Sequence, residues 1–192
     1  MNAPKVYLAG PDIFRADPVA IADRQKDVCL RHGLIPLHPM DNNMDLSGDP
    51  ATLPLRIFRA DLGQMLTADA ICANMNEFLG ADPDSGTCFE VGFFAGINAA
   101  LGTLQAAQPR KPIYGYIDSD ERYLARIERW RGNLKDASMW RQWRFSTVDM
   151  SINLMMEMAM SSSGAFVTTG FEDCIASIAA DWRAGKVLVP AR

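Results

Sequence analysis

Short apolar segments alternate with helical segments along the chain, and this alternation limits the folds that are open to it. Five segments have the length and composition of buried strands: Lys5–Gly10, Leu34–Leu37, Asp69–Met75, Lys111–Tyr116 and Ala165–Thr168. Five helices are predicted between or after them: Pro18–His32, Leu55–Thr67, Gly86–Leu101, Ser151–Met160 and Phe171 to about Trp182. Such alternation predicts parallel pairing, right-handed crossovers and helices on both faces of a sheet. We expect a three-layer α/β fold, flavodoxin-like or Rossmann-like, with a central, mainly parallel five-stranded sheet.

Composition excludes several classes of protein. With 192 residues, 48% of them apolar, the chain can bury one core and is most simply a single domain over residues 1–192. A net charge of -4 argues against nucleic-acid or membrane-surface binding, which needs a basic face. The cysteines are scattered without a CxxC pair, which predicts reduced thiols of a cytoplasmic protein and no metal site. The chain opens without a secretory leader, so we expect neither secretion nor a membrane span.

The predicted helix Gly86–Leu101 contains one charged residue, Glu90. A helix that is apolar on all sides is buried, so we expect this helix to be enclosed by the core. A buried carboxylate loses several kcal/mol of hydration unless a specific partner holds it. A second carboxylate, Asp84, lies at the start of the same helix. The alternative is that Glu90 is an exposed or structurally paired residue.

Topology places several polar residues at one edge of the sheet. In parallel α/β sheets the ligand site lies outside the carboxyl ends of the strands. This rule selects Gly10 and Asp12 after the first strand, residues 74–84 after the third and residues 116–118 after the fourth. The segment 10–14 matches neither a dinucleotide nor an ATP phosphate loop, which leaves carboxylate chemistry. Carboxylates acting together suggest glycosidic chemistry on a small substrate, with one as nucleophile and another assisting the leaving group.

Several segments carry a resemblance to a known family. They are Y-L-A-G-P-D-I-F from Tyr7, P-M-D-N from Pro39, A-D-A-I-C-A-N from Ala68, D-S-G-T-C-F-E-V-G-F from Asp84 and N-L-M from Asn153. In this order they resemble the nucleoside 2-deoxyribosyltransferase family over essentially the whole chain. The D-x-G-T-x-F-E-x-G motif is the most specific of them. The resemblance implies exchange of free nucleobases on 2'-deoxyribonucleosides through a covalent deoxyribosyl-glutamate intermediate, without a cofactor or metal.

The same resemblance implies roles for individual residues. Glu90 would be the nucleophile, Tyr7 would position it by a hydrogen bond, and Asp69 would help to protonate the departing base. Asp84 would hold sugar hydroxyls. Asn153 would reach, from a neighbouring subunit, the 5'-hydroxyl of the bound nucleoside, which implies a homo-oligomer with shared active sites.

Base contacts and alternative functions complete the expectations. Phe14 would contact the base with its ring, and Asn43 would contact it as a polar group. The nearest alternative activity is 2'-deoxynucleoside 5'-phosphate N-hydrolysis, and a non-catalytic nucleoside-sensing module is a third interpretation.

Residues 120–145, the Arg/Trp-rich segment, combine basic and aromatic side chains as nucleic-acid binders do, but acidic residues reduce the net positive charge. We interpret this segment as a surface helix or subunit contact.

Overall fold

The structure is a computed structural model that describes residues 2–42, 49–130 and 150–187. Its strands are β1 (Lys5–Ala9), β2 (Ile35–Leu37), β3 (Ala70–Asn74), β4 (Ile113–Tyr116) and β5 (Ala165–Val167). The helices described are α1 (Pro18–Arg31), α2 (Leu53–Thr67), α3 (Ser85–Thr103), α4 (Tyr123–Trp130), α5 (Leu154–Ser161) and α6 (Phe171–Arg183). Short 3-10 turns follow β1 at Pro11–Phe14 and β2 at Pro39–Asp41.

The strands form one sheet in the order β2-β1-β3-β4-β5, and every neighbouring pair is parallel. β1 therefore lies inside the sheet, where Tyr7 is aligned with Leu37 of β2 and Ile71 of β3. The strand order reverses direction next to β1, which is where such sheets form their ligand sites. This arrangement confirms the predicted flavodoxin-like α/β fold with five strands.

Two apolar cores lie on the two faces of the sheet. Because successive strand residues point to opposite faces, Val6 and Leu8 enter one core while Tyr7 and Ala9 enter the other. The first core is formed with α1 and α6, and the second with α2, α3 and α5. Tyr7 thus points toward the helix that carries Glu90.

Helix α3 is not enclosed on all sides, and that prediction does not hold for the single chain. Val91 and Phe94 are fully buried against the sheet, but Phe89 is 50% exposed. Gly92 and Gly96 also lie on the exposed side. The helix is apolar all round because one face meets the core while the opposite face is an apolar surface.

Part of the Arg/Trp-rich segment is a helix, as predicted. Residues 123–130 form α4, which buries Tyr123, Arg126 and Ile127 against the rest of the chain. Residues 131–145 of the segment lie outside the described residues. Within the described ranges, the helices all fall short of the length and apolarity that a bilayer crossing requires.

Candidate active site

Tyr7 and Glu90 form the centre of the site. The Tyr7 hydroxyl donates a hydrogen bond of 2.6 Å to Oε1 of Glu90. A distance in this range is typical of a hydroxyl that donates to an ionised carboxylate. Tyr7 is fully buried in β1, and Glu90 lies on the second turn of α3. The pair connects the middle of the sheet with the helix that follows β3.

The surroundings of Glu90 favour its neutral form. Burial raises the pKa of Glu90 to about 7, against an ordinary value of 4.5, while the Tyr7 hydrogen bond opposes the increase. The negative charges of Asp61 and Asp84 raise it further. Burial, followed by the charge of Glu90, also raises the pKa of Tyr7 far above its ordinary value, so Tyr7 remains a hydrogen-bond donor. Glu90 therefore exchanges its proton near neutral pH and keeps a fixed donor on one oxygen.

Asp84 caps α3, the helix that carries Glu90, and this cap explains the D-x-G-T part of the motif. Its Oδ2 accepts hydrogen bonds from the Thr87 backbone N at 2.9 Å and from the Thr87 hydroxyl at 3.2 Å. A Cβ at Gly86 would lie 2.9 Å from Oδ2 of Asp84, so a side chain at Gly86 would push the cap aside. Within the described ranges, Oδ1 of Asp84 makes no hydrogen bond, which leaves it available to a substrate hydroxyl.

Asp61 is a third carboxylate of the site, and the sequence analysis missed it. Its Oδ1 accepts a hydrogen bond of 2.8 Å from Asn42, and burial raises its pKa above the ordinary value. Its charge raises the pKa of both Glu90 and Tyr7. Asp61 is the only acidic residue of α2. A lone carboxylate on a helix that packs on the functional edge is the signal that could have identified it.

Asp69 is not brought together with these groups. It precedes β3, so it lies at the amino-terminal edge of the sheet, opposite the expected ligand edge. Its Oδ2 accepts a hydrogen bond of 2.8 Å from the backbone N of Lys5, at the start of β1. Asp69 thus joins the beginnings of two neighbouring strands.

Gly10 and Asp12 hold the segment that follows β1. A Cβ at Gly10 would lie 2.8 Å from Cβ of Asn74, so glycine allows β1 and β3 to continue side by side. The Asp12 carboxylate accepts hydrogen bonds from Gln25 at 2.9 Å and from Asn74 at 3.3 Å. Asp12 therefore anchors this segment to α1 and to the end of β3.

The two predicted base contacts, Phe14 and Asn43, and the predicted sugar contact Asn153 differ in where they lie. Phe14 is 65% exposed and its ring lies 5.6 Å from that of Phe78, so the two present an aromatic surface at the functional edge. Asn43 lies outside the described residues. Asn153 caps α5, where its Oδ1 accepts a hydrogen bond of 3.0 Å from the backbone N of Met155. Its side chain is exposed on the surface of the chain.

The site is built of carboxylates, a phenol and aromatic rings. Within the described parts of the chain, no group of three or more His, Cys, Asp or Glu side chains could hold a metal ion. The arrangement suits chemistry at an electron-poor carbon. In such chemistry one carboxylate can contact that carbon, while others can exchange protons or accept hydrogen bonds from hydroxyls.

The chain is similar to known proteins in both sequence and structure. The model of the family described as nucleoside 2-deoxyribosyltransferase matches residues 6–155. A 2-deoxyribosyltransferase from Leishmania mexicana is similar in structure, with a TM-score of 0.62 and 22% identity over 92% of this chain and 97% of that chain. A 2-deoxyribosyltransferase from Bacillus psychrosaccharolyticus gives a TM-score of 0.56 and 18% identity over 98% and 99%. A conserved protein from Enterococcus faecalis V583 gives 0.53 and 18% over 92% and 97%.

At these identities the structural likeness establishes the fold, while the family match rests on the sequence itself. No curated protein matches the chain. The family match covers most of the chain, including the D-x-G-T-x-F-E-x-G motif from Asp84 to Gly92 and the segment that ends at Met155. The chain belongs to the nucleoside 2-deoxyribosyltransferase family and is a transferase of the deoxyribosyltransferase type.

Proposed function

We propose that this protein exchanges nucleobases on 2'-deoxyribonucleosides through a covalent deoxyribosyl ester on Glu90. The observation that carries the proposal is the 2.6 Å hydrogen bond between Tyr7 and Glu90, within the charge fields of Asp61 and Asp84. The C1' carbon develops positive charge as the base departs with the electron pair of the C1'–N bond, and a 2-deoxyribosyl group reaches this state readily because it lacks the electron-withdrawing 2'-hydroxyl. A carboxylate in a site with little water stabilises that charge better than it would in water.

The first half of the reaction forms an ester. Oε2 of Glu90 attacks C1' from the face opposite the base, while Tyr7 holds Oε1 and fixes the direction of attack. The C1'–N bond breaks, and its electron pair leaves with the base. A second base then attacks C1' and releases the carboxylate, so two inversions give net retention.

Asp61, rather than Asp69, supplies the proton to the departing base in this proposal. Its raised pKa increases the protonated fraction, and it lies close enough to Glu90 to affect that carboxylate. When a new base attacks, Asp61 takes the proton back. Asp69 is held by Lys5 at the far edge of the sheet, where it stabilises strand pairing.

Asp84 and Phe14 bind the substrate. The unbonded Oδ1 of Asp84 accepts a hydrogen bond from a sugar hydroxyl, while its Oδ2 remains in the helix cap. Phe14, supported by Phe78, contacts the flat face of the base. Asn43 is the predicted polar contact to the base.

The alternative hydrolase requires a pocket for a 5'-phosphate. Residues 75–84, which lead to the nucleophile helix, contain three carboxylates and neither Lys nor Arg. The loop thus offers no basic side chain of its own to hold a phosphate, which favours a nucleoside substrate. A sensing module would gain nothing from a buried carboxylate whose pKa lies near neutrality.

One assay separates the three functions. Deoxyinosine is incubated with and without adenine, and the products are separated by chromatography. New deoxyadenosine supports the transferase. Hypoxanthine release that does not require adenine supports a hydrolase, and the absence of turnover supports a sensor.

We also propose a homo-oligomer in which Asn153 reaches the 5'-hydroxyl in the site of a neighbouring chain. An apolar surface on the outer sides of α2, α3 and α5 supports this assembly. Phe58 and Phe89 are 46% and 50% exposed and lie 6.0 Å apart, and Phe89 stacks on Phe93. Met155, two residues from Asn153, is 67% exposed. A surface of this kind is typical of a subunit contact.

A further inference from the structure

The loop that joins β3 to the nucleophile helix connects two of the proposed substrate contacts. This β3–α3 loop, residues 75–84, ends at Asp84, the cap of α3. It also carries Phe78, whose ring lies 5.6 Å from that of Phe14. A backbone hydrogen bond of 3.0 Å from Phe78 to Asp82 folds the loop on itself. Whatever fixes this loop therefore fixes both the sugar-binding carboxylate and the aromatic surface for the base.

Helix α4 holds the last turn of the loop through Tyr123. The Tyr123 hydroxyl donates a hydrogen bond of 2.5 Å to Oδ1 of Asp82, two residues before Asp84. Tyr123 is only 6% exposed, and its backbone N donates to the Met150 carbonyl at 2.7 Å. Burial, together with the charge of Asp82, raises the pKa of Tyr123 well above the ordinary value. The phenol thus remains protonated and continues to donate to the loop.

The first part of the loop is held through Glu77. Nε of the buried Arg126 lies 3.2 Å from Oε1 of Glu77, and Arg126 is 1% exposed. Arg129 also donates to Glu77, and the indole of Trp130 donates to it at 2.5 Å. A buried guanidinium without a carboxylate partner is strongly unfavourable. Glu77 therefore ties the loop to three residues of α4.

We propose that α4 is a positioning element for the active site and that Tyr123 and Glu77 are its principal positioning residues. The inference rests on the proposed deoxyribosyl transfer, because it assigns α4 the task of holding Asp84 and Phe78 in their substrate-binding places. These residues act through the loop and do not contact the substrate. Since the loop contacts the substrate before the reaction begins, its loosening raises KM more than it lowers kcat.

The test compares two tyrosines that each donate to one aspartate. Tyr123→Phe removes the hydrogen bond to Asp82, and Tyr114→Phe removes one of 3.0 Å to Asp181. Tyr114 is 1% exposed and lies in the core on the opposite face of the sheet. Both variants are expected to lower the melting temperature by a few degrees. Only Tyr123→Phe is expected to raise KM for deoxyinosine, by about fivefold, which corresponds to about 1 kcal/mol.

A third variant separates the loop from Asn153, which also affects the pKa of the Tyr123 hydroxyl. Asp82→Ala removes the same loop contact from an exposed position and leaves both Tyr123 and Asn153 unchanged. The proposal requires Asp82→Ala to raise KM as Tyr123→Phe does. An increase in Tyr123→Phe that Asp82→Ala does not reproduce would assign the effect to Asn153 and overturn the role of the loop.

A second measurement needs no turnover and keeps this inference distinct from the proposed activity. Amide hydrogen exchange of residues 76–89 is compared by mass spectrometry in the wild type, Tyr123→Phe and Tyr114→Phe. Faster exchange in Tyr123→Phe alone supports the positioning role. Equal exchange in the two variants, or a KM for Tyr123→Phe within twofold of that for Tyr114→Phe, overturns it. A wild-type protein without deoxyribosyl transfer would refute the proposed activity, and the exchange experiment would still decide whether α4 holds the loop.

Discussion

Tyr7 and Glu90 are 83 residues apart in the chain, yet the Tyr7 hydroxyl lies 2.6 Å from Oε1 of Glu90. The bond uses one carboxylate oxygen, and within the described residues Oε2 makes no hydrogen bond. Because Tyr7 is fixed in an interior strand, the free oxygen has a defined direction. The pair therefore supplies an oriented carboxylate whose protonation changes near neutral pH.

Replacement of Glu90 tests the nucleophile directly. Glu90→Ala should abolish nearly all base exchange and leave the fold intact, because the change removes the attacking group and a partly buried charge. Steady-state assays with deoxyinosine and adenine measure the loss. Retention of a tenth of the wild-type kcat, equivalent to a loss of only about 1.4 kcal/mol, would contradict the assignment.

A trapping experiment identifies the nucleophile by covalent labelling. A 2-fluorinated deoxynucleoside should leave its sugar on the enzyme, and peptide mass mapping should place the label on Glu90. Glu90→Gln provides the matched control, because it preserves the shape of the side chain without its nucleophilicity. A label on Asp84 or Asp61 would show that the labelled aspartate, and not Glu90, is the nucleophile.

The raised pKa of Glu90 predicts a pH-dependent stability difference between the wild type and Glu90→Gln. In the folded protein the pKa is about 7, above the ordinary 4.5, so the folded state holds the proton more tightly than the unfolded state. The destabilisation by Glu90 is absent below pH 4.5, grows between pH 4.5 and 7 and is complete above pH 7. It amounts to about 3 kcal/mol at most, because Glu90 keeps some contact with solvent.

Thermal unfolding measures this difference. Glu90→Gln should melt several degrees above the wild type at pH 8, and the difference should disappear as the pH falls toward 4.5. A constant difference across this range would show that burial does not control the ionisation of Glu90.

Tyr7→Phe should lower kcat more than it changes KM, because the hydroxyl orients Glu90 while the ester bond forms. The hydrogen bond also lowers the pKa of Glu90, so its removal should move the ascending limb of the pH–rate profile to higher pH. Profiles of kcat/KM against pH, measured for the wild type and for Tyr7→Phe, locate the ascending limb of each protein. An unchanged kcat with an unchanged limb would make Tyr7 an ordinary buried aromatic residue.

The two aspartates at positions 61 and 69 provide a matched pair of substitutions. Asp61→Asn should lower kcat for deoxyinosine by about 100-fold or more, which is typical for loss of a general acid. The loss should be smaller for a nucleoside whose base leaves without protonation. Asp69→Asn weakens the hydrogen bond with Lys5 and should lower the melting temperature with little effect on kcat. The opposite pattern would return the acid role to Asp69.

The fold and the centre of the site could be predicted because they depend on local patterns. Alternation of strands and helices determines parallel pairing, and the D-x-G-T-x-F-E motif joins the cap at Asp84 to Glu90 on one helix. The parallel sheet and the helix cap need only the period of an element and the handedness of its connection. The pairing of Tyr7 with Glu90 was instead implied by the family resemblance, because alternation along the first strand does not tell which of its residues face α3.

The other site residues could not be predicted, because their contacts depend on how the helices and strands pack against one another. Asp61 and Asp69 lie eight residues apart, Asp61 within α2 and Asp69 just before β3, and only the packing of α2 shows which of their charges acts on Glu90. Asp12 sits at the functional edge, but its carboxylate is occupied by Gln25 and Asn74. Contacts of this kind link residues far apart in the chain, and no periodicity reveals them.

The shared site can be tested with mixtures of variants. If Asn153 serves the neighbouring chain, Asn153→Ala and Glu90→Ala assemblies should each be nearly inactive, because every site lacks one of the two groups. After dissociation and joint reassembly, a mixed dimer holds one site with both groups intact and one site with neither. Random mixing of dimers makes about half of the assemblies mixed, so about a quarter of wild-type activity is the expected ceiling.

The control for this experiment is subunit exchange, which native mass spectrometry follows independently of activity. Asn153 caps α5 through its Oδ1, so Asn153→Ala also loses a helix cap and should melt at a lower temperature. Asn153→Ser keeps a capping oxygen at the same position and separates the two roles. If confirmed exchange restored no activity with either variant, then Asn153 would act in the site of its own chain or outside the site, since a defect confined to one chain's site cannot be complemented by the other.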